Sequence, residues 1–210
     1  MKKVIFFIAT IIAVSCNDKK EASTVTPVDS SAVAAPAPPA RNEMKLLMDK
    51  MMMDMHMMKP TGNNEIDYAA MMTDHHKGAV EMAKLEVLKG RDSAMKEFAN
   101  KIIAAQEKEI SFMNEYIAAH DKKASPGQKA FQEALSGSMK AMMQDQPVLY
   151  NDTDKDFAAQ MIPHHQSAVD MANAYLKSGN DPQLTAMSKS IVSSQSTEIE
   201  WLKMWLAGNK

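Results

Sequence analysis

The chain has 210 residues, a formal net charge of −2 and a hydrophobic fraction of 45%. Its length is sufficient for one well-packed domain, and its weakly negative charge gives no indication of nucleic-acid binding. Cys16 is the only cysteine, and with Cys16 acylated the mature chain would have no thiol for a disulfide framework or a thiolate metal site. The unusual feature of the composition is 21 methionines, which are clustered along the chain.

Residues 1–16 have the pattern of a lipoprotein signal peptide. Lys2 and Lys3 precede an apolar run, residues 4–14, that is too short to remain as a membrane-spanning helix. Cys16 follows at the position where such a signal is cleaved and the cysteine is lipidated, and an ordinary signal peptide with a chance cysteine is the alternative. We therefore expect a chain that is lipid-anchored to a bacterial membrane and faces the periplasm or the exterior.

Residues 17–41 are rich in Ser, Ala, Pro, Thr and Val without helical periodicity, which predicts a disordered tether. Residues 42–210 form one predicted domain, whose two halves are residues 42–122 and 123–210. No segment of this domain alternates in polarity, whereas six segments have helical periodicity. The predicted helices span residues 43–59, 65–89, 93–119, 128–144, 154–178 and 182–206.

Helix-terminating residues mark these boundaries. Gly90 is predicted to cap the C-terminus of the second helix, and Asp92 the N-terminus of the third. Thr153 or Asp154 is predicted to cap the N-terminus of the fifth helix, and Pro182 lies in the first turn of the sixth. The predicted fold class is therefore all-α.

Two histidine pairs reveal an internal repeat. Residues 72–82 read MTDHHKGAVEM and residues 161–171 read MIPHHQSAVDM, which places His75 and His164 89 positions apart. Each half contains a histidine helix followed by a long partner helix. We expect these two duplicated helical hairpins to pack as a four-helix bundle, with an additional Met-rich helix before each hairpin.

The long partner helices carry apolar stripes that are interrupted by polar residues at equivalent positions. These residues are Gln106, Glu109, Gln195 and Glu198. Buried polar groups require partners, so the stripes indicate contact with histidines of the neighbouring helices. One hypothesis is a structural network that fixes the helix register through the hydrogen bonds Glu109–His75 and Glu198–His164.

The other hypothesis is a metal site. Met72, His75 and His76 lie at positions i, i+3 and i+4 of one helix, so a thioether and two imidazoles project from about one turn. The second half repeats the arrangement with Met161, His164 and His165. Mixed ligation by His and Met suits copper, because thioethers select Cu(I) and imidazole binds either oxidation state. Glu and Gln of the partner helices would then orient the ligating imidazoles.

The first predicted helix is the most methionine-rich segment. Methionines surround its whole circumference at Met44, Met48, Met51, Met52, Met53, Met55, Met57 and Met58, together with His56. A core stripe explains one face only, so the others indicate either a soft-metal tract or a flexible surface for an apolar partner. The candidate metal ligands in this helix are Met51, Met52, Met55, His56 and Met58. The fourth predicted helix has a weaker cluster of methionines, which core packing alone could explain: Met139, Met142 and Met143.

The sequence contains no recognisable catalytic constellation. A ferritin-like di-iron site requires Glu-x-x-His motifs, whereas Met72 and Met161 stand three residues before the first histidine of each pair. Neither a Ser or Cys nucleophile arrangement nor a phosphate-binding glycine loop is evident. We therefore expect a binding protein and not an enzyme.

The motifs MTDHHKGAVEMA and MIPHHQSAVDMA, each followed by Gln-x-x-Glu-Ile on the next helix, resemble the family called domain of unknown function 305, in two tandem copies. The resemblance covers most of residues 65–206. It implies a ferritin-like four-helix bundle and, as in some members, exported copper binding through His and Met. The implicated residues are His75, His76, His164, His165, Met72, Met161, Met82 and Met171. Thr73 and Asp74 replace the Ile-Pro of the second motif, so the first site is expected to differ in charge or occupancy.

Together these patterns predict a lipid-anchored, extracytoplasmic protein that buffers or sequesters copper, with Cu(I) favoured over Cu(II). The expected partners are metal ions and, through the lipid alone, a membrane. Nucleic acid is not expected, and no pattern identifies a protein partner. The alternative is an envelope interaction module with a Met-rich docking helix and structural His–Glu networks.

Overall fold

The computed structural model describes residues 42–121, 123–144 and 146–209, and these residues form six α-helices and no β-strand. The all-α prediction is confirmed. The helices are α1 (Glu43–Met57), α2 (Asn64–Lys89), α3 (Ser93–Ala119), α4 (Gln128–Gln144), α5 (Thr153–Ser178) and α6 (Pro182–Gly208). The predicted signal peptide, the lipidated Cys16 and the tether at residues 17–41 lie outside the described residues. Within the described ranges, no helix has the length and apolar content that crossing a membrane requires.

Most helices begin where a side chain satisfies free backbone N–H groups. Asp92 caps α3 by accepting a hydrogen bond from the backbone N–H of Met95, as predicted. The prediction for α5 was wrong, because the cap is Asp152 rather than Thr153 or Asp154. Asp154 is engaged elsewhere, since its carboxylate accepts hydrogen bonds from a loop of the other half.

Two helix ends also have specific causes. Helix α1 ends at Met57, two residues before the predicted end, because Pro60 disfavours a helical conformation at the residue before it. Gly90 is the C-cap of α2, as predicted, but its φ of −60° does not require glycine. The requirement is steric, since a Cβ atom at Gly90 would collide with the carboxylate of Glu86.

The two histidine helices form the centre of a four-helix bundle. Helices α2 and α5 contact each other, α3 packs on α2, and α6 packs on α5. The outer helices meet through Phe98 and Trp201, whose rings stack with centroids 4.2 Å apart. Helix α1 packs against α2 and α5, and α4 against α5 and α2. Helices α2 and α5 are therefore covered on several sides, and most of their residues, including the histidine pairs, are buried.

The two halves have equivalent structures. Helix α5 begins and ends 89 residues after α2, and α6 begins and ends 89 residues after α3. Asp154, near the start of α5, accepts hydrogen bonds from the backbone N–H groups of Arg91 and Asp92, just after α2. Glu65, near the start of α2, is placed to accept from the N–H of Asn180, just after α5. Each central helix thus begins where the other ends, so α2 and α5 run antiparallel.

A buried carboxyl pair lies at one end of this arrangement. Glu86 is fully buried, and burial together with the neighbouring Asp154 carboxyl group raises its pKa to about 8. Burial also raises the pKa of Asp154, but hydrogen bonds from the N–H groups of Asp92 and Arg91 lower it more, so its net shift is downward. At neutral pH the proton therefore resides on Glu86, and Asp154 is the carboxylate.

This pair predicts a loss of stability at alkaline pH. The folded-state pKa of Glu86 is above its unfolded value of about 4.5, so the stabilisation is complete below pH 4.5 and is lost as the pH rises through 8. The loss has a limiting slope of about 1.4 kcal/mol per pH unit. Glu86→Gln should flatten this dependence, as measured by denaturant unfolding between pH 6 and 9. Equal slopes for the variant and the wild type would contradict the assignment.

Candidate metal centre

Four imidazoles meet at the midpoints of α2 and α5. Each pair lies near the middle of its helix, and the two helices have equal length and run antiparallel, so their contact brings the pairs together. The rings of His75 and His164 lie across this contact with centroids 3.8 Å apart. His76 and His165 flank them, and all four side chains are fully buried.

Neither inner imidazole, His75 or His164, contacts a carboxylate, and only the His164 ring is held by a backbone group. The Nε2 atom of His164 lies 3.1 Å from the backbone carbonyl oxygen of His75, which can only accept. The proton of His164 is therefore on Nε2, and its Nδ1 carries a lone pair. The predicted hydrogen bonds Glu109–His75 and Glu198–His164 were wrong.

The outer imidazoles, His76 and His165, are the ones that face the glutamates. His76 Nε2 donates to Glu109 Oε2 at 2.7 Å. His165 Nε2 lies 3.0 Å from Glu198 Oε2, without the alignment of a hydrogen bond. Both glutamates are partly exposed at the edge of the bundle, where they reach the outer histidine of each pair and not the one between α2 and α5.

Most of the buried ring nitrogens lack hydrogen bonds. Within the described residues, six of the eight imidazole nitrogens have no hydrogen-bond partner, including both nitrogens of His75. The amide of Gln106 also has neither of its polar atoms paired, and Oε1 of Gln195 is unpaired. Unpaired buried polar atoms cost free energy and are rare in native proteins, so the six unpaired ring nitrogens of the neighbouring histidines call for an occupant.

The protonation state of the inner pair favours cation binding. Burial lowers the pKa of His75 well below 6.5, and the neighbouring imidazoles His164, His76 and His165 lower it further. Burial likewise lowers the pKa of His164, and the neighbouring His165 lowers it further. Both rings are therefore neutral near pH 7, which is the form that binds metals.

The predicted thioether ligands of the bundle are buried on the same two helices. Met72 and Met161 lie one turn before the histidine pairs, and Met82 and Met171 about two turns after them. All four side chains are fully buried. The described part of the chain contains no group of three or more His, Cys, Asp or Glu side chains arranged around one metal position. A metal site here would depend on imidazoles and thioethers, which together are suited to soft ions with low coordination numbers.

The two motifs differ at the residues before their histidines. Asp74 pairs with Lys77 at 2.8 Å on the exposed side of α2, so its charge is neutralised away from the imidazoles. Thr73 donates its hydroxyl to the backbone oxygen of Ala69. Pro163 lies inside α5 and has no N–H to donate to the preceding turn. The expected difference in charge is therefore confined to the surface.

The structure divides the Met-rich helix α1 between different environments. Met51 and Met55 are buried in the core, where Met51 packs against Gly78, and Met58 is half-buried. Met52 and His56 instead line a cleft of about 430 Å³ between α1, α4 and α5. This methionine cleft also contains Met142 and Met143 of α4. Helical periodicity did not identify the cleft, because its walls come from separate helices.

Comparison with known proteins agrees with the motifs. The family described as Domain of unknown function (DUF305) matches residues 65–206, a range that includes both histidine pairs and both partner helices. The chain belongs to the DUF305 family. A single match spans both halves, and the internal duplication remains a prediction from the 89-residue offset. A comparison with curated proteins finds no match.

Several solved structures resemble this DUF305 protein. CopM in the Cu(I)-bound form has 29% sequence identity and a TM-score of 0.53, over 69% of this chain and 96% of that chain. CopM in the Cu(II)-bound form has 28% identity and a TM-score of 0.54, over 70% and 97% of the two chains. A DUF305 protein from Streptomyces coelicolor, at 21% identity and a TM-score of 0.56 over 70% and 94%, shares the fold.

The buried imidazoles of this DUF305 protein predict a loss of stability in acid. The pKa values of His75 and His164 are lowered on folding, so their stabilisation is present above about pH 6.5 and is lost as the pH falls below it. The double variant His75→Leu/His164→Leu should be less sensitive to acid between pH 6.5 and 4.5 in denaturant unfolding.

The exposed His120 supplies a matched control. His120→Leu should retain the acid sensitivity of the wild type, because this histidine lies at the end of α3, outside the bundle centre. If the double variant loses stability with the wild-type pH dependence, the inner pair is not the source of the effect.

Proposed function

We propose that this protein binds copper at the two histidine pairs and thereby buffers or sequesters it outside the cytoplasm. The observation that carries the proposal is the set of fully buried imidazoles whose ring nitrogens lack hydrogen bonds. A cation held between them would use lone pairs that otherwise cost free energy. The Cu(I)-, Cu(II)- and Ag-bound forms of CopM, a structural relative, support a cation of this class.

The site favours Cu(I) over Cu(II). Moving a charge into a dry interior costs free energy that increases steeply with the charge, so a monovalent ion is buried more easily than a divalent one. The available ligands are imidazoles and thioethers; the thioethers are soft donors that select Cu(I), and imidazole binds copper in either oxidation state. The nearest carboxylates, on Glu109 and Glu198, lie at the outer imidazoles and partly in solvent.

The residues then have distinct roles. His75 and His164 provide the inner donors, and His76 and His165 the outer ones. Glu109 fixes the proton of His76 on Nε2, which leaves Nδ1 free to bind a metal. A carboxylate in this position also increases the basicity of the imidazole. Gln106 and Gln195, at equivalent positions of α3 and α6, are candidates to contact the same site.

A purely structural role for the histidines is less well supported. A network that only fixed the helix register would be expected to satisfy its members, since a partly satisfied buried network destabilises the core. Here His76 is bonded to Glu109, but His75 has no bond from either nitrogen within the described residues. A metal-binding role accounts for both observations.

The cellular setting follows from the N-terminal pattern. We propose that Cys16 carries the lipid and that residues 17–41 tether the domain outside the cytoplasm, where thioethers remain usable and thiols oxidise. Binding without turnover is proposed because the sequence contains no catalytic constellation. The Met-rich helix α1 would supply additional binding capacity.

A competition titration tests the proposal. The full-length chain is titrated anaerobically with Cu(I) against a chromophoric chelator, with Zn(II) as a harder reference ion. The variant His164→Ala/His165→Ala should bind less Cu(I), because these imidazoles are ligands. Its helical circular dichroism should be retained. His120→Ala is the matched control and should bind as the wild type does.

Two outcomes would contradict the proposal. One is a wild-type chain that takes no Cu(I) from the chelator. The other is an unchanged stoichiometry in the histidine variant, accompanied by a change in stability alone, which is the result expected from a structural network.

A further inference from the structure

The methionine cleft is a second concentration of metal-binding side chains, separate from the bundle centre. It lies between α1, α4 and α5 and has a volume of about 430 Å³. Its potential ligands are Met48, Met52, Met53, His56, Met142 and Met143. The first four come from α1 and the last two from α4, so the cleft exists only when the two Met-rich helices pack on the same bundle.

Core packing does not explain the methionines at the rim. Met48 and Met142 are buried and form the floor, where any apolar side chain of similar size would serve. Met53 and Met143 are 62% and 58% exposed, and His56 is also exposed. Side chains this exposed bury little apolar surface, so they contribute little to the stability of the fold. Their sulfur atoms, however, are accessible to solutes.

The charged groups at the cleft compensate each other. Lys45 and Asp49 both line it and form an ion pair at 2.6 Å, so neither leaves an unpaired charge towards an incoming ion. The remaining side-chain donors are thioethers, one imidazole and the neutral amides of Gln146 and Gln160, none of which is a hard anionic ligand. This donor set selects a soft cation such as Cu(I) or Ag(I) over Zn(II), Mg(II) or Ca(II).

The cleft shares a wall with the buried histidine pair. Gln160 and Pro163 of α5 line it, and both lie within one turn before His164. Gln160 is almost fully buried, and its Nε2 atom has no hydrogen-bond partner within the described residues. A polar, unsatisfied side chain therefore lies between the cleft and the segment of α5 that carries the inner histidine.

We propose that the methionine cleft is a second, solvent-accessible site for a soft monovalent cation, with ligands from α1 and from α4. This inference rests on the proposed function, since it concerns the same class of ion. It differs in placing the additional metal-binding capacity at a site between α1 and α4 and not along α1 alone. Met51 and Met55 of α1 are buried in the core and do not line the cleft. Thioethers need no deprotonation, so the cleft accepts the ion directly from solution.

The test uses the α4 ligands, which a site on α1 alone would not require. The full-length chain, labelled with ¹³C in the methionine methyl groups, is titrated with Cu(I) and separately with Ag(I). In the wild type, the methyl signals of cleft methionines should shift, and the signals should be assigned by single Met→Leu variants. Met142→Leu/Met143→Leu should abolish the shifts of Met52 and Met53 and lower the stoichiometry by one equivalent.

Leucine preserves size and apolar character, so the folded state is expected to tolerate these changes. The matched control is Met57→Leu/Met204→Leu, which replaces two methionines that are 72% and 66% exposed and lie outside the cleft. This control should keep the wild-type stoichiometry. Should Met142→Leu/Met143→Leu unfold, Met53→Leu/Met143→Leu changes only rim residues and should give the same loss.

The outcomes separate the two proposals. Wild-type stoichiometry and unchanged methyl shifts in both cleft variants would overturn the second site. If the histidine variant loses Cu(I) and the cleft variants do not, the proposed function stands and the cleft proposal fails. If the wild-type chain binds neither Cu(I) nor Ag(I), both fail.

Discussion

The packing of four buried imidazoles between two antiparallel helices is the constraint on which the rest of the structure depends. A protein interior normally pairs its polar atoms, and each exception lowers stability. Here six of the exceptions among the described residues are ring nitrogens at one place, the contact between His75 and His164 and the histidines beside them. Such a core is stable only if the surrounding helices compensate for it, or if a ligand does.

The two central helices themselves compensate through interactions with each other at both ends of the bundle. Asp154 and Glu65 each lie near the start of a central helix and face the loop that follows the other central helix. These equivalent contacts fix the antiparallel register that makes the two pairs meet. Tyr68 and Tyr175, which stack between α2 and α5 with centroids 4.4 Å apart, add an apolar contact to the same interface. The site is thus positioned by interactions made by residues outside it.

Much of the fold could be predicted from the sequence because its information is local. Asp92 and Gly90 limit helices through their own backbone neighbours, and the 89-residue offset transfers each boundary from one half to the other. The histidine partners could not be predicted in the same way. Helical periodicity places His75 and His76 on one face, but only the packing of α2 between α3 and α5 decides which of them faces Glu109.

Other features depend on tertiary contacts that a single helix does not encode. Asp154 has the sequence character of an N-cap, but a loop distant in sequence binds its carboxylate, and Asp152 caps the helix instead. Glu86 occupies the position in the first half that is equivalent to Tyr175 in the second, on a face that is otherwise apolar. A Glu at a position where the other half has a buried Tyr could have predicted a buried acid. The methionine cleft requires α1 and α4 to pack on the same side of α5.

The most direct test of the central claim is copper K-edge X-ray absorption of the full-length chain loaded anaerobically with one equivalent of Cu(I). If the unpaired buried imidazoles are the primary ligands, the spectrum should show nitrogen neighbours with the outer-shell scattering of imidazole rings, and this scattering should weaken in His75→Leu/His164→Leu. A first equivalent surrounded by sulfur alone, unchanged in that variant, would contradict the claim.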